Sequence, residues 1–176
     1  MSRTVSIITS VIAVMAIGLL PRASAQTGKP LSCDAPEHRQ FDFWLGDWEV
    51  MTPDGKPAGR NSITLELKRC VLHERWSGAG GMKGESFNTW DRTKKQWHQT
   101  WVSDDGSLLL LDGTFQNGVM ELTGASVASG SQTLNRIRWS SLADGGVRQH
   151  WEVSSDGGKT WKTAFDGRYR RSKPAH

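Results

Sequence analysis

Apolar and polar residues alternate with a period of two along short segments of this chain. Between residues 71 and 77, Leu72, Glu74 and Trp76 alternate with His73 and Arg75. Side chains of a β-strand point to opposite faces in turn, so this pattern is typical of a strand with one buried face. The same alternation predicts about ten strands, at residues 43–51, 60–68, 71–77, 85–90, 97–103, 107–115, 119–123, 135–141, 147–154 and 161–169.

Turn residues separate the predicted strands at short intervals. Asp-Gly and Asn-Gly steps recur at residues 54–55, 105–106, 117–118, 144–145 and 156–157. Such steps favour tight hairpins because they tolerate positive φ. Strands joined by hairpins form an antiparallel meander, and closing such a sheet removes its exposed edges. The sequence therefore predicts an all-β fold: a single antiparallel up-and-down β-barrel of about ten strands, with a short helical turn at 36–40 before strand one.

The N-terminus has the features of a secretory signal peptide. Arg3 precedes an apolar run at 5–20, Pro21 follows this run, and small residues at 23–25 fit a cleavage site. The run of about 16 residues is shorter than the roughly 20 that span a bilayer, so cleavage after Ala25 is favoured over a membrane anchor. We predict a periplasmic or secreted protein without a membrane span, divided into a signal peptide at 1–25, an N-terminal lead-in at 26–40 and a β-barrel domain at 41–171.

The charge of the chain argues against one class of partner. The net charge is +4, and removal of Arg3 and Arg22 with the leader lowers it to +2. Basic residues are scattered apart from a cluster at 168–173. Surfaces that bind nucleic acids are strongly basic, so no nucleic-acid partner is predicted. The sequence leaves the oligomeric state open.

Two cysteines, Cys33 and Cys70, remain after the predicted cleavage. An even pair in an exported chain favours a disulfide over free thiols. The alternative is a lipid-modified cysteine at Cys33, but residues 30–32 do not fit the required motif and lie well past the apolar run. We therefore predict a bond that joins the N-terminal lead-in to the third strand.

A Gly-x-Trp step, Gly46-Asp47-Trp48, lies on the first predicted strand. With the preceding helical turn, the meander and the C-terminal arginines, it resembles the calycins, the group of β-barrels that contains lipocalins and fatty-acid-binding proteins. More closely, the chain is similar to a family of secreted bacterial proteins of calycin-like fold that open with FDFWLGDW. The resemblance implies that Trp48 lies near the barrel base and that Arg168 or Arg170 packs across it. It implies no particular activity.

The strand face that carries the tryptophans is predicted to be the barrel interior. Polar side chains share this face, because Gln99 lies two residues from Trp101, and Gln149 two residues from Trp151. A packed core would also explain the tryptophans. Polar groups set in an aromatic wall are, however, typical of small-molecule sites. The predicted ligand-binding residues are Glu74, Trp76, Asn88, Trp90, Gln99, Trp101, Trp139, Gln149 and Trp151.

Glu74 is the one acidic residue that strand alternation places inside. A buried carboxylate has either hydrogen-bonding partners or a raised pKa, and a raised pKa suits a general acid or base. Three functions therefore remain open. The favoured one is binding of a small, partly apolar molecule. The others are a cofactor-independent isomerase or lyase with Glu74 as catalytic residue, and a filled barrel with a structural or protein-contact role.

Motifs for cofactors and metals are not recognisable in the sequence. Haem-binding calycin barrels use a histidine on a late strand, and residues 161–171 contain none. His73, His98 and His150 lie on three different predicted strands of the outer face, without close ligand spacing. We predict no cofactor, no metal site and histidines on the surface.

Residues 154–161, SSDGGKTW, match a hairpin motif found in sialidases and related propellers. In that motif the Asp side chain binds turn amides and the Trp packs beneath them, roles that fall on Asp156 and Trp161. Propellers repeat the motif in several blades. A single copy predicts a structural turn and no active site.

Overall fold

The computed structural model describes residues 33–128 and 130–172, so the predicted signal peptide at 1–25 lies outside the described residues. A four-residue helix α1, Pro36–Arg39, and a 3₁₀ turn, Asp42–Trp44, precede the strands. The part of the chain that is described contains no helix with the length and hydropathy to cross a bilayer. The strands are β1 Gly46–Met51, β2 Pro57–Glu66, β3 Val71–Gly78, β4 Lys83–Asp91, β5 Gln96–Ser103, β6 Leu108–Gln116, β7 Val119–Ala128, β8 Ser131–Ser141, β9 Val147–Ser154 and β10 Lys162–Arg171.

The ten strands form one closed antiparallel barrel, as predicted. Each strand pairs with its neighbours in sequence, and β1 also pairs with β10. Trp48 of β1 lies opposite Asn61 of β2 and opposite Arg171 of β10. Tight hairpins connect the strands, and between β6 and β7 both Asn117 and Gly118 adopt positive φ, at 51° and 79°. The Asn-Gly step makes that two-residue turn accessible at little steric cost.

The first strand begins three residues later than predicted, after the 3₁₀ turn. Gly46, with a φ of 127°, redirects the chain into β1. A 3₁₀ turn places residues three apart on the same face, so Phe41 and Trp44 both point into the barrel and are fully buried. Strand alternation would place these two side chains on opposite faces, which is why the pattern missed the turn.

Strands β7 and β8 are longer than the predicted 119–123 and 135–141. Their ladder continues from the pair Gly124 and Asn135 to the pair Ala128 and Ser131. The small and polar residues of this hairpin carry little strand propensity of their own. Pairing between the two strands of the hairpin stabilises the extended conformation of these residues.

Aromatic side chains fill one end of the barrel, and we call Phe41, Trp44, Trp97 and Trp139 the barrel floor. The other three ring centroids lie 4.9 to 5.6 Å from that of Phe41. All four residues are at most 1% exposed. Nε1 of Trp97 donates to Oε1 of Gln40 at 3.1 Å. The segment before β1 therefore closes this end of the barrel with its own side chains.

Cys33 and Cys70 form the predicted disulfide. Cys70 lies in the turn between β2 and β3, so the bond fixes the start of the described chain to the strand turns at the floor end. Arg92 adds to this anchoring, because it donates to Nε2 of His38 at 3.2 Å and to Sγ of Cys33 at 3.4 Å. A bridged sulfur cannot carry a lipid, so the alternative of a lipid-modified cysteine is wrong.

Trp48 borders the barrel floor and is fully buried. Its Nε1 donates to a main-chain carbonyl of the 3₁₀ turn at 2.9 Å, and the guanidinium of Arg171 lies 3.9 Å from its ring centroid. The prediction of Arg168 or Arg170 at this position is wrong. Tyr169 points into the barrel, so residue 171 shares its face, whereas residues 168 and 170 face outward and are exposed.

The turn between β9 and β10 has the contacts expected of the hairpin motif. Oδ1 of Asp156 accepts from the amide of Thr160 at 2.9 Å and from Oγ of Ser154 at 2.7 Å. Hydrogen bonds from Thr160 and Ser154 hold the pKa of the Asp156 carboxyl well below its usual range. Trp161 donates to the carbonyl of Gly158 at 3.1 Å. These contacts lie within one turn, which fits a structural role.

Candidate functional site

The half of the barrel opposite the floor contains a cavity of about 240 Å³. Four aromatic residues from four strands form its wall: Trp76 of β3, Trp101 of β5, Trp151 of β9 and Phe165 of β10. The apolar remainder comes from Met82, Leu109, Ile137 and Ala164, and the polar groups are those of Glu74, Gln99, Gln149 and Tyr169. Met82, in the turn between β3 and β4, is 47% exposed, so the cavity opens to solvent beside that turn.

Glycines allow the wall aromatics to lie against the sheet. A Cβ atom at Gly84 would lie 2.3 Å from Cζ2 of Trp101, and one at Gly59 would lie 2.8 Å from the ring of Trp76. These rings therefore occupy space directly above glycine backbone on a neighbouring strand. A side chain at either glycine would push the indole out of its place.

Glu74 is buried at the cavity and holds two hydrogen bonds. Its Oε1 accepts from Nδ2 of Asn61 at 2.7 Å, and its Oε2 accepts from Oγ of Ser86 at 2.6 Å. Burial raises the pKa of Glu74 to about 7, although both hydrogen bonds act in the opposite direction. No Lys, Arg or His of the described residues forms an ion pair with this carboxyl. Near neutral pH, Glu74 therefore divides between acid and anion.

A chain of buried amides continues from Ser86 across β4 and β5. Oγ of Ser86 accepts from Nδ2 of Asn88 at 2.9 Å, and Oδ1 of Asn88 accepts from Nε2 of Gln99 at 2.8 Å. Nε2 of Gln99 also lies 3.4 Å from Oγ of Ser86. Glu74 and Gln99 thus meet at the same hydroxyl, which places the two side chains close together.

Tyr169, the single tyrosine of the chain, adds the fourth polar group. Its hydroxyl donates to Oε1 of Gln149 and accepts from Nδ2 of Asn61 at 3.3 Å. Burial, and then the nearby Glu74 carboxyl, raise the pKa of Tyr169 well above its usual value. The phenol therefore stays neutral at physiological pH and acts as a hydrogen-bonding group.

Most of the predicted ligand-binding residues lie at one cavity, as strand alternation indicated. The six that line it are Glu74, Trp76, Gln99, Trp101, Gln149 and Trp151. Contrary to the prediction, three residues do not line it: Asn88 is hydrogen-bonded behind Gln99, Trp90 packs edge-on against Trp97 at 6.5 Å, and Trp139 belongs to the floor. All three do point inward, but at levels of the barrel where neighbouring side chains fill the interior.

Several residues that shape the site were not among those predicted from the sequence, including Asn61, Ser86, Tyr169 and Phe165. Alternation does place Asn61 with Ile63, and Ser86 with Asn88, on inner faces. Phe165 also shares the inner face with Tyr169, and the register of β10 against β9 shifts just before it, between Thr163 and Phe165. Pattern alone does not reveal such a bulge.

The three histidines point outward, each with partners of its own. His98 lies 2.8 Å from Oδ1 of Asp112, and His150 lies 3.1 Å from Oγ1 of Thr163. His73 was predicted to be a surface residue, but it is only 8% exposed. The ring of Phe87 stacks over it at 4.4 Å and covers it from the outside. The described residues contain no group of three or more His, Cys, Asp or Glu side chains placed to hold a metal ion.

Substitution of Glu74 by glutamine is expected to change how stability depends on pH. The folded protein binds the Glu74 proton more tightly than the unfolded chain does, since the pKa is raised from 4.5 to about 7. This contribution to stability is full below the unfolded pKa and is lost as pH rises through about 7. Glutamine does not titrate. Between about pH 4 and pH 8, the unfolding free energy of Glu74→Gln should therefore gain about 3 kcal/mol relative to the wild type.

Urea denaturation at a series of pH values measures this difference. Glu121→Gln is the matched control, because Glu121 is exposed on the outer face of β7. The unfolding free energy of Glu121→Gln should change with pH as that of the wild type does. A constant offset between Glu74→Gln and the wild type across the range would show that the pKa of Glu74 is not raised.

Comparison with known proteins does not assign the chain to a family. Neither a protein-family model nor a curated protein sequence matches the chain. The ten-strand antiparallel barrel is compatible with a calycin-like fold.

Proposed function

We propose that this protein binds a small, partly apolar molecule inside the barrel. The observation that carries the proposal is the open cavity of about 240 Å³ with four aromatic residues in its wall and four polar side chains beside them. Apolar walls with a few placed polar groups are the usual composition of small-molecule sites. A barrel packed solely for stability would close this volume as it does at the floor, since empty apolar space lowers stability.

The dimensions of the cavity limit the size of the ligand. Sites for drug-sized molecules have volumes of roughly 300 to 1,000 Å³. A volume of about 240 Å³ lies below that range and fits a molecule with one or two rings. Long-chain lipids exceed it. The rings of Trp76 and Trp101 offer flat faces against which an aromatic ligand stacks.

We further propose that the protein works outside the cytoplasm. The disulfide between Cys33 and Cys70 supports this location, because such bonds persist in oxidising compartments. The signal-peptide features at 1–25 support it independently. A periplasmic or secreted calycin-like barrel with an interior site is suited to capturing or carrying a small molecule.

Narrowing the cavity should weaken the binding of a small apolar probe. The probe is 2-naphthol. Excitation energy passes from the tryptophans to the bound probe, so the decrease in tryptophan emission during a titration measures its affinity. In Gly84→Ala the new Cβ would lie 2.3 Å from Cζ2 of Trp101 and would displace the indole. We expect affinity at least about tenfold weaker, equivalent to about 1.4 kcal/mol.

Gly80→Ala is the matched control, because a Cβ there meets no atom within 4 Å. It should bind 2-naphthol like the wild type. Gln149→Leu removes a polar partner from the cavity while keeping its volume, and should change affinity by about 1 to 3 kcal/mol. Probe binding that survives both Gly84→Ala and Gln149→Leu unchanged would place the bound probe elsewhere.

Acid and base catalysis is the second candidate function, and the raised pKa of Glu74, about 7, favours it. A carboxyl that titrates near working pH can both take and give a proton. A binding protein returns its ligand unchanged, whereas an isomerase exchanges a C–H proton of its substrate with solvent. Native mass spectrometry of the protein from its own host identifies the ligand. Deuterium incorporation into that ligand, lost in Glu74→Gln, would support the enzyme.

A further inference from the structure

We infer that the ligand of the barrel carries a positive charge, as a protonated amine on a small apolar body, and that Glu74 is its counter-ion. This inference rests on the proposed binding function and names its ligand class. Three features support it: a carboxyl that no cationic side chain of the described residues pairs with, a wall of aromatic faces, and an amide side chain close to the carboxyl.

The cavity is lined by an acidic side chain without a basic one beside it. Among the described residues that line it there is no Lys, Arg or His, and Glu74 is the one carboxyl. Buried carboxylates in proteins are usually paired with a cation. The two hydrogen bonds from Asn61 and Ser86 leave the carboxylate with further acceptor capacity, since its two oxygens together accept about four. A cationic ligand supplies the missing partner.

The aromatic wall attracts the same charge. Trp76, Trp101 and Trp151 present indole rings to the cavity, and indole faces attract cations more strongly than other aromatic faces do. The attraction increases where water is excluded. Amine ligands are bound in proteins by aromatic cages of this composition. Here the cage encloses a carboxyl as well, so both interactions act on one ammonium group.

The remaining polar groups of the cavity can accept hydrogen bonds from an ammonium group. Nε2 of Gln99 is used by Asn88, so its Oε1 is the atom left to accept from a ligand. Nε2 of Gln99 lies 3.4 Å and Oε2 of Glu74 lies 2.6 Å from Oγ of Ser86, so the two side chains meet at the same hydroxyl and both line the cavity. A protonated amine has several N–H donors and can bind both.

The same arrangement excludes carboxylic acids. The carboxylate of a fatty acid or an aromatic acid in this cavity would lie beside Glu74, and the lining that the structure describes offers no cationic side chain to balance it. Two buried carboxyls close together cannot both ionise. An acid would therefore bind only after taking up a proton, at a large cost in affinity near neutral pH.

Three ligands of the same shape test the inference on the oxidised, folded protein. They are phenethylamine, 2-phenylethanol and phenylacetate, titrated by calorimetry at about pH 8, where Glu74 is ionised and the amine is protonated. We expect the amine to bind at least about tenfold more tightly than the alcohol, and phenylacetate to bind more weakly than both. Glu74→Gln should remove the preference for the amine, and Glu121→Gln should keep it.

The pH dependence of phenethylamine binding to the wild type provides a second test, which needs no variant. Below about pH 7 the amine has to displace a proton from Glu74, so its affinity should fall about tenfold between pH 8 and pH 6, while that of the alcohol stays constant. Of the described lining residues, Tyr169 is the other titratable one, and its raised pKa keeps it neutral over this range.

The outcomes separate this inference from the proposed function. If 2-phenylethanol binds as tightly as phenethylamine, or if Glu74→Gln retains the preference, the inference is wrong and the binding function stands. If neither these three ligands nor 2-naphthol binds, the binding function itself is wrong.

Discussion

Replacement of Trp48 by alanine is expected to lower the free energy of unfolding by about 3 to 5 kcal/mol, the cost of truncating a large aromatic residue in a core. Trp48 is fully buried where β1 meets β2 and β10. The truncation removes a hydrogen bond to the carbonyl of Trp44, the edge contact with Tyr169 and the face on which Arg171 stacks. The floor residues cannot move into the vacated space without breaking their own contacts. Urea or thermal denaturation measures the loss.

Trp161→Ala is the matched control for this prediction. Trp161 is partly exposed in the turn between β9 and β10, where Arg136 stacks on it at 4.1 Å. The same substitution there should cost less than half as much, because little core volume is lost. Equal losses for the two variants would mean that Trp48 contributes no more than a surface tryptophan.

Removal of the disulfide is expected to have an effect of similar size. Cys33 and Cys70 are 37 residues apart, and the chain-entropy relation gives about 4 kcal/mol for a loop of this length. The bond also fixes the segment that supplies Phe41 and Trp44 to the floor, so its loss should expose that end of the barrel. The double variant Cys33→Ala with Cys70→Ala should unfold at a clearly lower urea concentration than the oxidised protein.

A reducing agent provides the control for this comparison. It should lower the stability of the wild type towards that of the double variant, and it should leave the double variant unchanged. A wild-type midpoint that does not move on full reduction would contradict the prediction.

The sequence predicted the barrel well because its strands carry a strong period-two signal. β8 shows this clearly, since polar Arg136 and Arg138 alternate with Ile137 and Trp139, which are buried. The pattern failed where local geometry departs from the pleat. The 3₁₀ turn at Asp42–Trp44 changes the period from two to three, and the extended β7–β8 hairpin is held by cross-strand pairing that single-strand propensity does not show.

The sequence predicted which side chains of the candidate site point into the barrel. It did not predict how far along the barrel axis each of them lies. Alternation assigns a residue to the inner face, and this was enough to bring Gln99 and Trp101 to the cavity. It does not tell whether the interior is filled at that level, so Trp139 was grouped with Trp151 although one belongs to the floor and the other to the cavity. The stacking of Arg171 on Trp48 was also missed, because the predicted Arg170 is the adjacent residue and points to the opposite face of the strand.

Filling one end of the barrel and leaving the other open gives the two ends different freedom to change during evolution. The floor combines a disulfide, buried indoles and fixed hydrogen bonds, so few substitutions are tolerated there. Residues such as Leu109, Ile137 and Phe165 border an open volume, where a change of side chain alters the shape available to a ligand. Related barrels could therefore acquire new ligands through substitutions around the cavity while the floor keeps the fold intact.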